Sequence, residues 1–215
     1  MQVKFKQLVV EPGHPFKMEN VSWEMYEGIL KELDQELGHE RKTRVNYGKG
    51  ILEIMAPLPE HEIDKVIISD LVKVILEELD IEFISLGSTT FKNQEMLVAV
   101  EADDCFYIKN EALMRGKNRI NLMFDPPPEL AIEIDITART RLNNYEALGV
   151  LELWRFDGKK LQINILQNGQ YLESKISPSL NGLELTEIIP EYLEMSRLIG
   201  RNAAIKKFRA WLRKA

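Results

Sequence analysis

Two short segments, Leu97-Val-Ala-Val-Glu101-Ala-Asp103 and Leu130-Ala-Ile-Glu133-Ile-Asp135-Ile, set carboxylates at alternate positions among Val, Ile and Ala. No other pattern constrains the fold of this chain as much. Strand side chains alternate between the faces of a sheet, so Glu101 shares a face with Asp103, and Glu133 with Asp135. In the second segment Ile132, Ile134 and Ile136 are expected to enter a core while Ala131, Glu133 and Asp135 project from the opposite side. Asp and Glu are depleted in strands, and carboxylates on one face repel unless a cation sits among them. The same alternation describes a half-exposed strand whose polar face meets water. Spacing therefore nominates a metal site and leaves the plainer reading open.

With 215 residues, 45% hydrophobic and 29% charged, the chain is long enough for one substantial core, and a single domain over 1–215 is expected. The one cysteine, Cys105, excludes an intramolecular disulfide and a Cys-ligated zinc cluster, and it fits a cytoplasmic setting. No stretch is long and apolar enough for a membrane span, and Met1-Gln-Val-Lys-Phe-Lys lacks the apolar run of a secretion signal. A net charge of −6 argues against a nucleic-acid coat but not against an enzyme acting on nucleic acid, whose catalytic carboxylates are themselves negative.

Cations cluster locally. Lys109, Arg115, Lys117 and Arg119 lie between the two acidic segments, and Arg139 and Arg141 follow the second. Such a run either holds a phosphate backbone or is simply solvated. Arg201, Lys206, Lys207, Arg209, Arg213 and Lys214 fall on a helix with Ile205, Phe208 and Leu212 on its apolar side, and read as solvent-exposed.

The order of elements indicates a mixed α/β layer structure. Ser22 caps a helix that runs to Leu37 and stops at Gly38, with Trp23, Tyr26, Ile29, Leu30 and Leu33 as its apolar stripe. Strands at Arg44–Tyr47 and Ile51–Met55 form a hairpin around Gly48-Lys49-Gly50. A long helix from Glu60 to Leu79 presents Ile63, Ile67, Leu71, Val74 and Ile75, and a strand Glu82–Leu86 precedes the first acidic segment. Cys105–Ile108 is a further strand, and Asp125-Pro-Pro-Pro is a rigid lead into the second acidic segment. A helix Leu142–Leu148, three strands turning at Asp157-Gly158 and Asn168-Gly169, and terminal helices complete the chain.

Other chemistries fit poorly. His14, His39 and His61 lack zinc-ligand spacing, there is no Gly-x-Ser-x-Gly elbow, and Gly48-Lys49-Gly50 lacks the rest of a phosphate-binding loop. Gly87-Ser-Thr-Thr reads as a strand end, and Trp23, Trp154 and Trp211 as core or interface residues.

Six ordered blocks carry a resemblance that covers nearly the whole chain. They are Val21-Ser-Trp-Glu-Met-Tyr, Gly50-Ile-Leu-Glu-Ile-Met-Ala-Pro with His61-Glu62, Gly87-Ser-Thr-Thr-Phe, Glu101-Ala-Asp103, Pro128-Glu-Leu-Ala-Ile-Glu133-Ile-Asp135, and Tyr145-Glu-Ala-Leu-Gly-Val-Leu-Glu-Leu-Trp154. In these the chain resembles the Uma-two family of restriction-endonuclease-like proteins, within the PD-(D/E)XK nuclease superfamily. The resemblance implies a restriction-endonuclease-like core, a central mixed β-sheet flanked by helices, with an N-terminal helix and hairpin and C-terminal helices. It implies a metal-dependent endonuclease acting on DNA, with Asp103, Glu133 and the carbonyl of Ile134 as ligands to Mg2+, or Mn2+, and Glu62 as a third carboxylate. Glu101 would stand just outside the ligands, and His61 matches a family position near them. Read without the resemblance, a histidine opening a helix is an ordinary surface or capping residue.

Ala102 stands where the motif has Pro, and Asp135 where it has the Lys that orients the attacking water. Asp cannot supply that charge, whereas Arg141, one helical turn before Tyr145, matches a position that is basic in relatives. Three expectations follow: a DNA endonuclease acting as a homodimer, a nuclease-fold protein that binds metal or DNA or serves in an assembly without cutting, or a structural domain without metal.

Overall fold

In a computed structural model the described residues are 10–38, 43–136 and 140–214. The expectations placed on His39, Arg139 and the N-terminal residues lie outside them. In chain order the elements are β1 (Phe16–Met18), α1 (Trp23–Leu37), β2 (Arg44–Gly48), β3 (Ile51–Met55), α2 (Pro59–Glu78), β4 (Ile84–Ser85), β5 (Thr90–Asn93), β6 (Val98–Glu101) and β7 (Asp104–Tyr107). There follow α3 (Glu111–Met114), β8 (Leu130–Ile134), α4 (Leu142–Leu148), β9 (Glu152–Phe156), β10 (Leu161–Gln167), β11 (Gln170–Ser174), the short pair β12 (Ile176–Ser177) and β13 (Leu183–Glu184), α5 (Ile188–Ile199) and α6 (Arg201–Leu212).

The longer strands form two sheets. An antiparallel sheet has the order β1-β3-β2-β6-β5, and a mixed sheet the order β11-β10-β9-β8-β7-β4, in which β8 and β9 run parallel across the α4 crossover. Ser22 opens α1 by accepting from the Met25 amide at 3.2 Å, and Gly38 ends it at φ 50°. The α1 stripe buries Trp23, Tyr26, Ile29, Leu30 and Leu33 against Val45, Tyr47, Leu52 and Ile54 of the first sheet. Lys49 and Gly50, at φ 49° and 84°, give the hairpin its left-handed turn.

On the far side, α2, α5 and α6 cover the second sheet, packing Ile68, Leu71, Ile75, Ile189 and Phe208 onto Phe106, Ile132, Ile134, Trp154 and Phe156. Between the sheets a third cluster joins Val98, Val100 and Ala102 of the first to Ala131 and Leu153 of the second, with Tyr145 and Leu148 of α4. The layers therefore run α1, first sheet, α4 layer, second sheet, then α2 with α5 and α6.

This layering revises the reading of the acidic strands. Both faces of β8 are covered, and all five of its residues are buried, so Glu133 faces the α4 layer rather than water. The first acidic segment does not carry Glu101 and Asp103 on one strand: β6 ends at Glu101, and Ala102-Asp103 is the junction where the chain leaves the first sheet for β7 of the second. On α2 the expected stripe misplaces Ile63, which is exposed. The buried face continues towards the N-terminus through Asp64 and His61 instead. Helix α4 approaches the first sheet closely at Gly48, where a Cβ would collide with the Asn144 side chain.

The C-terminal cations are not simply solvated. Arg197 binds buried Asp64 at 2.6 Å, Arg201 binds Asp70 at 2.6 Å, and Arg209 and Arg213 each reach Glu78 at 2.8 Å, tying α5 and α6 to α2. Among the described residues no helix is long and apolar enough to cross a membrane.

Hydrogen bonds from Arg213 and then Arg209 hold the Glu78 carboxyl down at about 2. A depressed acid contributes stability above its unfolded value and loses it as pH falls through the folded one. Urea unfolding should therefore show α2–α6 weakening between about pH 4.5 and 2, with Glu78→Gln flattening that part of the profile. Identical profiles for the two proteins would show that the pairs contribute nothing.

Candidate active site

The residues expected at the site come from separate parts of the fold. Asp103, on the junction between the sheets, is fully buried, and its Oδ2 accepts from the Ile134 amide of β8 at 2.6 Å. His61, in the first turn of α2, places Nε2 3.2 Å from the same oxygen and is 3% exposed, so it is neither a cap nor a surface residue. Arg44, the first residue of β2, lies with Nη1 against Asp103 Oδ1 and donates through Nη2 to Glu62 at 2.7 Å. Buried charge at Asp103 is thus matched by a buried guanidinium, which limits the cost of desolvating either one.

Glu62 is the most open of these groups and is also paired with Lys65. Its neighbours His61, then Lys65 and Arg44, hold the Glu62 carboxyl down at about 2. Glu133 has the opposite environment. Its Oε1 accepts from the buried Tyr145 hydroxyl, and among the described residues no ion pair reaches it. Burial pushes the Glu133 carboxyl well above the usual range, Asp135 adds to the rise, and the Tyr145 hydrogen bond with the charges of Arg44 and Arg155 opposes it. Glu101, expected close to the ligands, instead accepts from the Val45 amide and the Thr90 hydroxyl, both at 2.8 Å.

A cavity of about 310 Å³ opens between the sheets, with Glu133, Ile134 and Asp135 on one wall, Arg44, Asn46 and Glu53 on the other, and Arg141 and Tyr145 from the α4 region. Asp103 and His61 do not reach this wall, but Arg44 does. Arg141 donates to Glu53 at 2.9 Å, and Lys17 reaches the same carboxylate at 3.0 Å. The basic segment between the acidic strands takes no part in the lining: Arg115 pairs with Glu111 at 2.6 Å, and Lys117 pairs with Asp125.

Asp135 is committed elsewhere. Its Oδ1 accepts from the amide and hydroxyl of Thr140 at 2.9 and 2.6 Å, while Oδ2 pairs with Arg155 at 2.6 Å. The residue at the motif Lys position is therefore a clamp between β9 and the start of α4.

Asp103, Glu133 and the Ile134 carbonyl are hard oxygen donors of the class that divalent Mg2+ and Mn2+ take. Asp103 Oδ1 has the Arg44 ion pair as its partner, and Glu133 is buried without a cation against it, so the donor chemistry fits an ion that takes the place of the Arg44 contact. As the side chains stand, no group of three His, Cys, Asp or Glu among the described residues is gathered closely enough to hold an ion. Arg44 and Tyr145 are the groups against these two carboxyls.

Arg44, Tyr145, Glu53 and Arg155 are the site residues that reading the sequence had not assigned. Arg44 and Asn46 alternate with Val45 and Tyr47, as on any half-exposed strand, and only the second sheet across the gap makes that polar face an interior one. One faint signal was available, since His61 and Asp64 occupy the α2 face that the apolar stripe predicts to be buried.

Replacing Asp135 by Lys should not restore a motif. Removing one partner of a buried pair costs about 3–5 kcal/mol, and the new ammonium would face Arg155. Thermal unfolding of Asp135→Lys should show a melting temperature at least about 6 °C below that of the parent, and an unchanged melting temperature would dissolve the clamp.

Comparison with known proteins places this geometry in a family context. No curated protein matches the chain. Among solved structures, a "putative nuclease belonging to DUF820" from Anabaena variabilis is similar at 14% identity, with a TM-score of 0.47, over 78% of this chain and 90% of that one. Residues 30–197 match the Uma2 family, described as "Putative restriction endonuclease", and that span takes in Arg44, His61, Asp103, Glu133 and Tyr145. The chain belongs to the Uma2 family.

Proposed function

We propose that the protein is a metal-dependent endonuclease that hydrolyses phosphodiester bonds in DNA with Mg2+ or Mn2+. One observation carries the reading. Asp103, thirty residues before Glu133 in sequence, is tied by the Ile134 amide to the strand whose Glu133 lines a cavity between the sheets. A buried carboxyl at the edge of a cleft, with a second one held just behind it, is costly to maintain, and catalysis is a common reason to keep such groups.

Asp103, Glu133 and the Ile134 carbonyl would hold the ion, with Glu62 the nearest further carboxylate. Bound there, a divalent cation supplies Lewis-acid polarisation of a phosphate and a hydroxide near neutral pH. The chain's own residues do the remainder. His61 and the Ile134 amide hold the Asp103 carboxylate in a fixed position. Tyr145 orients Glu133 and keeps a donor on it. Arg141 and Lys17 share the Glu53 carboxylate at the cavity, where they present positive charge to an incoming phosphate. Asp135 acts by holding Arg155 and Thr140 in place, so the cation that the motif places at position 135 comes from another residue of the cavity wall.

The second reading is a nuclease-fold protein that binds DNA without cutting it. It is favoured by the engagement of Asp135 with Arg155 and of Asp103 with Arg44.

Supercoiled plasmid incubated with Mg2+ or Mn2+ should be nicked, and EDTA should stop the reaction. Asp103→Ala and Glu133→Ala should each lower the rate by about 100-fold or more and abolish the heat of Mn2+ binding in calorimetry. Cleavage that survives in both variants would remove the proposed site. A wild type that binds DNA and Mn2+ but leaves the plasmid intact would establish the second reading.

A further inference from the structure

Another cavity adjoins the first at Arg44 and Glu101. It measures about 680 Å³ and is lined by Thr43, Glu62, Lys65, Ser88 and Thr90 among others. Two residues line both cavities, Arg44 and Glu101, and they form the wall between them. The halves of that wall are built differently. Glu101 is fixed to the fold by the Val45 amide and the Thr90 hydroxyl, both at 2.8 Å. Arg44 is held by side-chain carboxylates, Asp103 and the half-open Glu62.

A guanidinium carries five N–H donors in a planar fork, and the described contacts of Arg44 use its two terminal nitrogens on single oxygens. Each cavity also has cations of its own, Lys65 on the Glu62 side and Arg141 with Lys17 on the Glu133 side. Cations thus stand in the order Lys65, Arg44, Arg141 across two cavities that meet at Arg44. Both cavities fall in the size range that encloses a small organic group. Every phosphodiester has a nucleotide on each side, but a strand cut internally continues outwards through both cavities, whereas a strand trimmed from its end stops in one of them.

Building on the nuclease reading above, we propose that Arg44 binds a backbone phosphate at the junction of the two cavities. The strand then runs from the Lys65 side to the Arg141 side, so that the site takes an internal segment of a nucleic acid strand. Arg44 is in this view the positive group at the centre of the site, while Arg141 and Lys65 grip the flanking phosphates.

The test is fluorescence anisotropy of a fluorescein-labelled single-stranded 12-mer, run in EDTA and again with Ca2+, with thermal unfolding of every variant. Arg44→Gln should weaken binding by about 10- to 100-fold, the range for hydrogen bonds to charged groups. Lys65→Gln and Arg141→Gln should each weaken it several-fold and reduce the slope of log K against log salt by about 0.7. Where Arg44→Gln lowers the melting temperature sharply, Arg44→Lys and Lys65→Gln decide the matter, since Lys65 is an edge residue paired within its own helix.

Wild-type affinity and salt slope in Lys65→Gln would confine the strand to the first cavity and overturn the proposal. So would wild-type affinity in a folded Arg44→Gln, or no binding of the 12-mer by the wild type in either buffer. Failure of the nuclease reading looks different: the plasmid stays intact while the binding losses at Arg44, Lys65 and Arg141 persist. Plasmid nicking without those losses would leave the nuclease reading in place and remove this one.

Discussion

The structure turns on a single buried negative charge. Asp103 sits where the chain passes from one sheet to the other, and with no exposed surface its carboxylate depends wholly on protein partners. Those partners come from three directions: Arg44 from the hairpin of the first sheet, His61 from α2, and the Ile134 amide from the middle of the second sheet. An unpaired ion at such a depth costs several kcal/mol, so the separation of the layers is fixed by the need to keep all of them within reach. Glu133 lies one residue before that amide and inherits its place from the same arrangement.

Because Asp103 is shared in this way, the two sheets cannot slide past each other independently. Gly48 and Asn144 reinforce the constraint from the other end of the gap, where the absence of a side chain at position 48 lets α4 lie against β2. Tyr145 is the next residue of α4, so the close approach at Gly48 also sets how the tyrosine hydroxyl meets Glu133. Packing and site geometry are here one problem.

Much of this was legible in the chain because it is local. The Ser22 cap, the Lys49-Gly50 and Asn168-Gly169 turns, the Gly149 stop of α4 and the apolar stripe of α1 follow from short-range rules, and the structure agrees with them. The alternation in β8 correctly separated Ile132 and Ile134 from Ala131 and Glu133. What alternation cannot reveal is what covers the second face, and here it is an entire sheet with α4. The same blindness applied to Arg44, whose strand looks half-exposed until the layer opposite is known. The position of Asp103 beyond the end of β6 was also hidden, since a junction between sheets and a continuous strand read alike over two residues. The departure at Asp135 was visible from the start, but its partners, Arg155 and Thr140, are long-range or loop contacts that spacing does not supply.

At Asp135 the side chain and the main chain serve separate purposes. The side chain turns away to bind Arg155 one strand over, while the backbone on either side keeps its place: Asp135 donates to the Phe156 carbonyl at 2.7 Å and Ile134 donates to Asp103. Strand geometry is carried by the main chain, so one side chain can be reassigned while the adjacent carboxylate holds its position.

The parallel pairing of β8 with β9 has a consequence for how a new copy of the protein matures. β9 lies beyond α4 in the chain, and without it β8 would be a bare sheet edge with Glu133 and Ile134 open to water. Parallel pairing requires closing a long loop before any contact offsets the lost chain entropy, which makes it one of the slower events in folding. A growing polypeptide that already contains Asp103 and Glu133 therefore lacks the strand beside β8, and the cavity wall at Glu133, Ile134 and Asp135 is complete only when the strand at Glu152–Phe156 docks.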